Sequence, residues 1–107
     1  MKIYAAASFK IKDFQQFKAE LDSMHDSLHT YGLVRTWLNR DLDDANHLII
    51  VHEVDDLPKA REFYRSPQYK ECIQRAGVIG EPEIVLMEEL METPQLESAR
   101  RRGAEFD

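Results

Sequence analysis

Cysteine is almost missing from this chain: Cys72 stands alone among 107 residues. A single thiol closes no internal disulfide, so the sequence asks for no oxidising compartment and the expected location is cytoplasmic. Basic stretches are scarce as well. Lysine and arginine number 14 against 20 acidic residues, a formal charge of −6, and the only run of cations is Arg100-Arg101-Arg102. An acidic surface repels phosphates, so neither nucleic acid nor an anionic membrane is an expected partner. Long apolar runs are also lacking. The opening MKIYAAASFKIKD is interrupted by Lys10 and Lys12 and reads as neither signal peptide nor membrane span. There is no GxSxG elbow, no phosphate-cradling glycine loop, no Cys/His zinc spacing and no internal repeat. Glu88-Glu89, on a strand, point to opposite faces and make no carboxylate dyad.

What is present fits one core and one domain. IYAAASF, residues 3 to 9, is short, apolar and bounded by lysines, as a buried strand is. Asp13 offers a carboxylate to backbone N–H groups, and Gln16 stands where it could reach back, an Asp-led version of the capping box. The helix that follows carries Phe14, Phe17, Leu21, Met24, Leu28 and Tyr31 at alternating steps of three and four and stops at Gly32. LVRTWLNR, 33 to 40, and HLIIVHEV, 47 to 54, read as a hairpin around an acidic turn. Asp55-Asp56-Leu57-Pro58 opens a helix to about Tyr64. Ser66-Pro67 interrupts it, and a short helix runs from Gln68 to Ala76, ended by Gly77. After a Gly80-Glu81-Pro82 turn, EIVLMEELM, 83 to 91, makes the last strand.

This order is the ferredoxin-like split βαβ plan of an α+β protein: a four-stranded antiparallel sheet with helices on one face. One feature resists a monomer. Tyr4 and Ala6 are apolar like Ala5 and Ala7; Ile49 and Val51 like Leu48 and Ile50; Val85 and Met87 like Ile84 and Leu86. A sheet wetted on one side alternates apolar with polar. Both faces need cover, and a second copy of the same sheet supplies it through a two-fold interface. A homodimer is therefore expected. The domain runs over 1–91. The charged tail, 92–107, is either frayed or a short helix, led by Thr93-Pro94, lying on the partner subunit.

The stretch DDLPKAREFYRSPQYKECIQRAGVIGEPEIVLMEEL, Asp55 to Leu90, resembles the antibiotic biosynthesis monooxygenase-like branch of the dimeric α+β barrel superfamily. The likeness lies in the Asp-Asp, Ala-Arg-Glu-Phe, Ser-Pro and Ala-Gly-Val-x-Gly-x-Pro-Glu-Ile pieces and their spacing. Asp13-Phe14, Tyr31-Gly32 and Asp43-Asp44-Ala45-Asn46 extend it over about residues 3 to 91. These are caps, turns and core positions, and they specify fold rather than chemistry. The resemblance implies a homodimer whose two sheets pack into a barrel, with a small-molecule cavity between sheet and helices in each subunit. It also implies a function: cofactor-independent oxygenation, cyclisation or isomerisation of an aromatic or polyketide-like compound. The alternative is a non-catalytic ligand-binding or assembly module of the same fold. Haem-degrading relatives carry a histidine ligand in the second helical region, and residues 57 to 76 here contain no histidine. No cofactor is expected.

Several residues carry candidate chemistry. His52 interrupts an aliphatic strand, where an imidazole is either a general base or a hydrogen-bonded structural or interface group. Arg35, Trp37 and Asn39 fall on one strand face by the period of two. They either stack on and hydrogen-bond an oxygen-bearing aromatic ligand, with Arg35 and Asn39 steadying oxyanion charge, or form a solvated edge. His25 and His29, four apart, flank the core stripe of the first helix, but Asp22 and Asp26 turn outward and provide no third ligand, so no metal site is expected. His25 keeps a reach toward the cavity edge. Tyr64 and Tyr69 flank the Ser66-Pro67 break and either gate a cavity mouth or pack their rings. Cys72 reads as a packing residue.

Overall fold

A computed structural model of the chain describes residues 1–92, so the expectations for the tail beyond Glu92 lie outside the described residues. The element order is β1 (Ile3–Ile11), α1 (Phe14–Ser23), α2 (His25–Thr30), β2 (Leu33–Arg40), β3 (His47–Val54), α3 (Leu57–Arg65), α4 (Pro67–Arg75) and β4 (Val78–Glu88). The strands form one antiparallel sheet in the order β2-β3-β1-β4. This is the ferredoxin-like α+β plan, with the helices against one face. Among the described residues no helix is long and apolar enough to cross a membrane.

The helix boundaries follow local chemistry. Asp13 Oδ2 accepts from the Gln16 N–H at 2.9 Å, and Asp56 Oδ1 from the Lys59 N–H at 3.1 Å. The reciprocal half of the capping box does not form. Gln16 instead donates its side-chain amide to the Arg75 carbonyl at 2.9 Å, closing the C-terminal end of α4. Ser66 serves two helices: its hydroxyl donates to the Phe63 carbonyl at 2.6 Å, ending α3, and accepts from the Tyr69 N–H at 3.2 Å, opening α4. Gly32 turns the chain into β2 at φ +76, and a Cβ there would stand 2.8 Å from the Asp56 carbonyl oxygen. Only glycine fits that left-handed, crowded position.

Two boundaries differ from the sequence expectation. The single helix read from Phe14 to Tyr31 is broken at Met24 (φ −94, ψ 0) into α1 and α2. Ser23 Oγ donates back to the Glu20 carbonyl at 2.7 Å, a bond that competes with the helical ladder and bends it. The last strand begins at Val78, not Glu83. Ser8 stands opposite Glu83 and Lys10 opposite Ile79, so Phe9 alone faces Gly80, Glu81 and Pro82. What reads as a turn is a bulge inside β4, made possible by Gly80 at φ +73.

The core lies between helices and sheet. Ala5, Ala7, Phe9 and Ile11 of β1 alternate inward beside Leu48, Ile50, His52 and Val54 of β3, beneath Phe17, Leu28, Ala60 and Phe63. Complete burial of Ile11, Leu33 and Leu48 stabilises the fold by about 1.5–3 kcal/mol each. The opposite face keeps its apolar groups in view: Trp37, Ile79, Val85 and Met87 are 38–55% exposed.

Candidate ligand cavity

β1 places alanines, not larger residues, at the middle of the sheet. Ala7 pairs with Ile50 on one side and Ile84 on the other. The space above it is a cavity of about 60 Å³. Ala7, Ile50 and His52 make the floor; Met24, Phe63, Tyr64 and Tyr69 are among the helical residues that close it.

His52 is its buried imidazole, 5% exposed. Nδ1 lies 2.9 Å from Thr36 Oγ1 on the neighbouring strand. Desolvation pulls the ring down to about 4, opposed in part by a hydrogen bond with the Arg35 backbone. At neutral pH it is an uncharged acceptor. Tyr64 and Tyr69 present buried hydroxyls with no hydrogen-bond partner among the described residues, and burial pushes both phenols well above their ordinary range. Their rings meet edge to face with centroids 5.1 Å apart. At the cavity wall, Glu20 Oε1 accepts from Arg75 Nε at 2.9 Å and lies 3.6 Å from Cys72 Sγ.

Arg35, Trp37 and Asn39 do share one face, but not this one. Trp37 pairs with Val51 and Asn39 with Ile49, both turned away from the helices, whereas Thr36 pairs with His52. The sheet therefore lies between the trio and His52. The cause is a register shift at Val34, between Leu33↔Val54 and Arg35↔Glu53. One extra residue moves every later side chain of β2 to the other face relative to buried Leu33. On the outer face the Arg35 guanidinium sits 4.8 Å above the Trp37 ring, and Tyr4 meets Trp37 edge to face at 6.3 Å. Asn39 donates to the Ile49 carbonyl at 3.2 Å.

His25 and His29 are exposed, with ring centroids 6.4 Å apart. They line a second hollow of about 320 Å³ between α2 and β2, which does not include His52. Among the described residues no three His, Cys, Asp or Glu side chains gather as metal ligands.

One constellation escaped the sequence reading. His47 Nδ1 lies 2.8 Å from Asp41 Oδ2, and His47 Nε2 lies 2.5 Å from Ser8 Oγ. A carboxylate only accepts, so in the neutral ring Nδ1–H donates to Asp41 and Ser8 donates to Nε2. Its own bond from His47, then one from the Asp43 N–H, holds the Asp41 carboxyl below its usual range. The order is that of a nucleophile relay, but it stands on the helix-free face. Here it ties β1 and β3 to the turn after β2, beside the Lys10–Asp44 ion pair. No motif spacing announces it, because Ser8 and His47 meet only through strand pairing.

These features define an antiparallel α+β layer protein with a cavity between its layers. No family model and no curated protein matches the chain in sequence. Solved structures match it in fold. A Bordetella bronchiseptica protein provisionally named an antibiotic biosynthesis monooxygenase superposes with TM-score 0.71 at 14% identity, over 84% of this chain and 98% of that one. SnoaB, a cofactor-independent oxygenase from Streptomyces nogalater, gives 0.69 at 16% identity, over 87% and 97%. A Nitrosomonas europaea protein, also provisionally named an antibiotic biosynthesis monooxygenase, gives 0.62 at 14%, over 83% and 99%. The chain has the fold of the antibiotic biosynthesis monooxygenase-like proteins, as the Asp55–Leu90 resemblance led one to expect.

Proposed function

We propose that the chain acts as a cytoplasmic homodimer that takes a small, uncharged ring compound of aromatic or polyketide type into the cavity, where His52 moves a proton. One observation carries the reading: a neutral imidazole set in an apolar cavity, beside two tyrosines whose buried hydroxyls have no partner among the described residues. Taking a proton from a carbon beside a carbonyl leaves an enolate, the species that dioxygen oxidises without a cofactor and that cyclises or isomerises. An imidazole near 4 is a weak base at neutral pH, but a developing enolate beside it stabilises the imidazolium and raises it toward the working range. Arg35, Trp37 and Asn39 then belong to the subunit interface and not to the ligand. SnoaB's description as a cofactor-independent oxygenase is in keeping with this chemistry.

Oxygen uptake on phenols and anthrone-like ketones tests the proposal. The expected result is uptake that falls by about 10²-fold or more in His52→Ala, the usual scale of a lost general base. An active wild type indifferent to that change removes His52 from the chemistry. Binding without uptake selects the second reading, a non-catalytic ligand-binding or assembly module, which the small cavity and the exposed apolar outer face favour.

A further inference from the structure

We infer that the Thr36 hydroxyl carries protons between His52 and the solvent in the hollow between α2 and β2, so that a buried imidazole exchanges with water through one side chain. The inference rests on the reading of His52 as a proton-moving group, and it adds the proton's way out.

A base that takes a proton inside the fold has to release it again. His52 is 5% exposed, and the cavity gives it little help. The Glu20 carboxylate is held by Arg75, and burial keeps the Tyr64 and Tyr69 phenols protonated. On the other side of the ring lies β2. Nδ1, the ring nitrogen nearer the backbone, stands 2.9 Å from Thr36 Oγ1. Burial drives the ring neutral, and the Arg35 backbone opposes that by a hydrogen bond that favours the protonated form. A carbonyl only accepts, so the nitrogen turned to β2 carries the proton and Nε2 is bare, as a base requires.

At Thr36 the interior ends. The residue turns inward opposite His52, yet β2 is an edge strand and Thr36 is exposed. It lines the hollow of about 320 Å³ together with Asp22, His25 and His29. Leu21 and Leu28 line both this hollow and the cavity and are apolar, so the His52–Thr36 hydrogen bond is the polar link from one to the other. A hydroxyl donates one proton while accepting another. When Nε2 gains a proton from a ligand, Nδ1 passes its own to Thr36 Oγ1, and the Thr36 proton leaves to water, His25 or His29 in the hollow. One proton enters and one leaves. The ring is again neutral, now with its proton on Nε2, ready to protonate a product, and the reverse passage resets it.

The test uses the full chain without ligand, its histidines labelled at the ring nitrogens. Nitrogen shifts report the tautomer, and saturation transfer from water reports how fast the His52 ring proton exchanges. The expected results are a proton on Nδ1 and an exchange faster than that of the β3 backbone amides. Thr36→Val keeps the side-chain shape and strand preference and is expected to slow that exchange by about 10²-fold, and Thr36→Ser to restore it. A proton on Nε2 overturns the path. So does ring exchange in step with the β3 amides, which reports opening of the sheet, and so does a valine variant that exchanges like the wild type. Oxygen uptake judges the chemistry of His52 separately: a chain without uptake keeps the path if these results hold, and a chain with uptake loses it if they do not.

Discussion

His52 is read correctly from sequence as a polar group inside an aliphatic strand, yet its partner Thr36 is invisible there because it arrives through strand pairing. Its titration makes a prediction. The folded ring sits near 4 against 6.5 when unfolded, so between those values the unfolded chain binds a proton that the folded chain does not. Above pH 6.5 neither form is protonated and the group costs nothing. As pH falls from 6.5 toward 4, stability is lost, by about 3 kcal/mol at about 1.4 kcal/mol per pH unit. Urea unfolding from pH 8 to 4 is expected to show that loss in the wild type and a shallower acid limb in His52→Gln. Parallel curves would mean that the imidazole titrates normally. Ser8, Asp41 and His47 show the opposite case. Each is unremarkable in its own stretch, and only the folded register assembles them.

Among the elements, those written in local chemistry were legible. Asp13, Asp56, Ser66 and Gly32 mark their helix ends where capping rules place them. The misread elements are those where a backbone irregularity competes with periodicity. The Ser23 back-bond divides the first helix, Val34 reverses the faces of β2, and Gly80 hides a bulge that looks like a turn. Period counting assumes that no residue is inserted, so it reported a common face for Arg35, Trp37 and Asn39 but not which face. Ser66 joins two elements, and its removal is expected to be felt in both. Ser66→Ala should cost about 1–2 kcal/mol in chemical denaturation and speed amide exchange at the start of α4. A change confined to α3 would show that the hydroxyl does not cap α4.

At the scale of the whole molecule, the strongest legible signal was the absence of alternation along the strands. The helices cover one face, and Val85, at 55% exposed, stands on the other. Placing a charge there is harmless to a monomer and intolerable in a sheet-to-sheet interface. Light scattering at micromolar concentration is expected to report a dimer for the wild type and a monomer of unchanged circular dichroism for Val85→Glu. A monomeric wild type removes the interface. The resemblance placed a cavity between sheet and helices, but its size was not legible, since the volume depends on how α1, α3 and α4 settle over Ala7, and no single segment encodes that distance.

Thr36 and Trp37 are consecutive, yet one touches the imidazole and the other looks out beside Val51. Interior and exterior are thus separated by a single peptide unit. A substitution at either residue is therefore made one step along the backbone from the opposite side of the sheet.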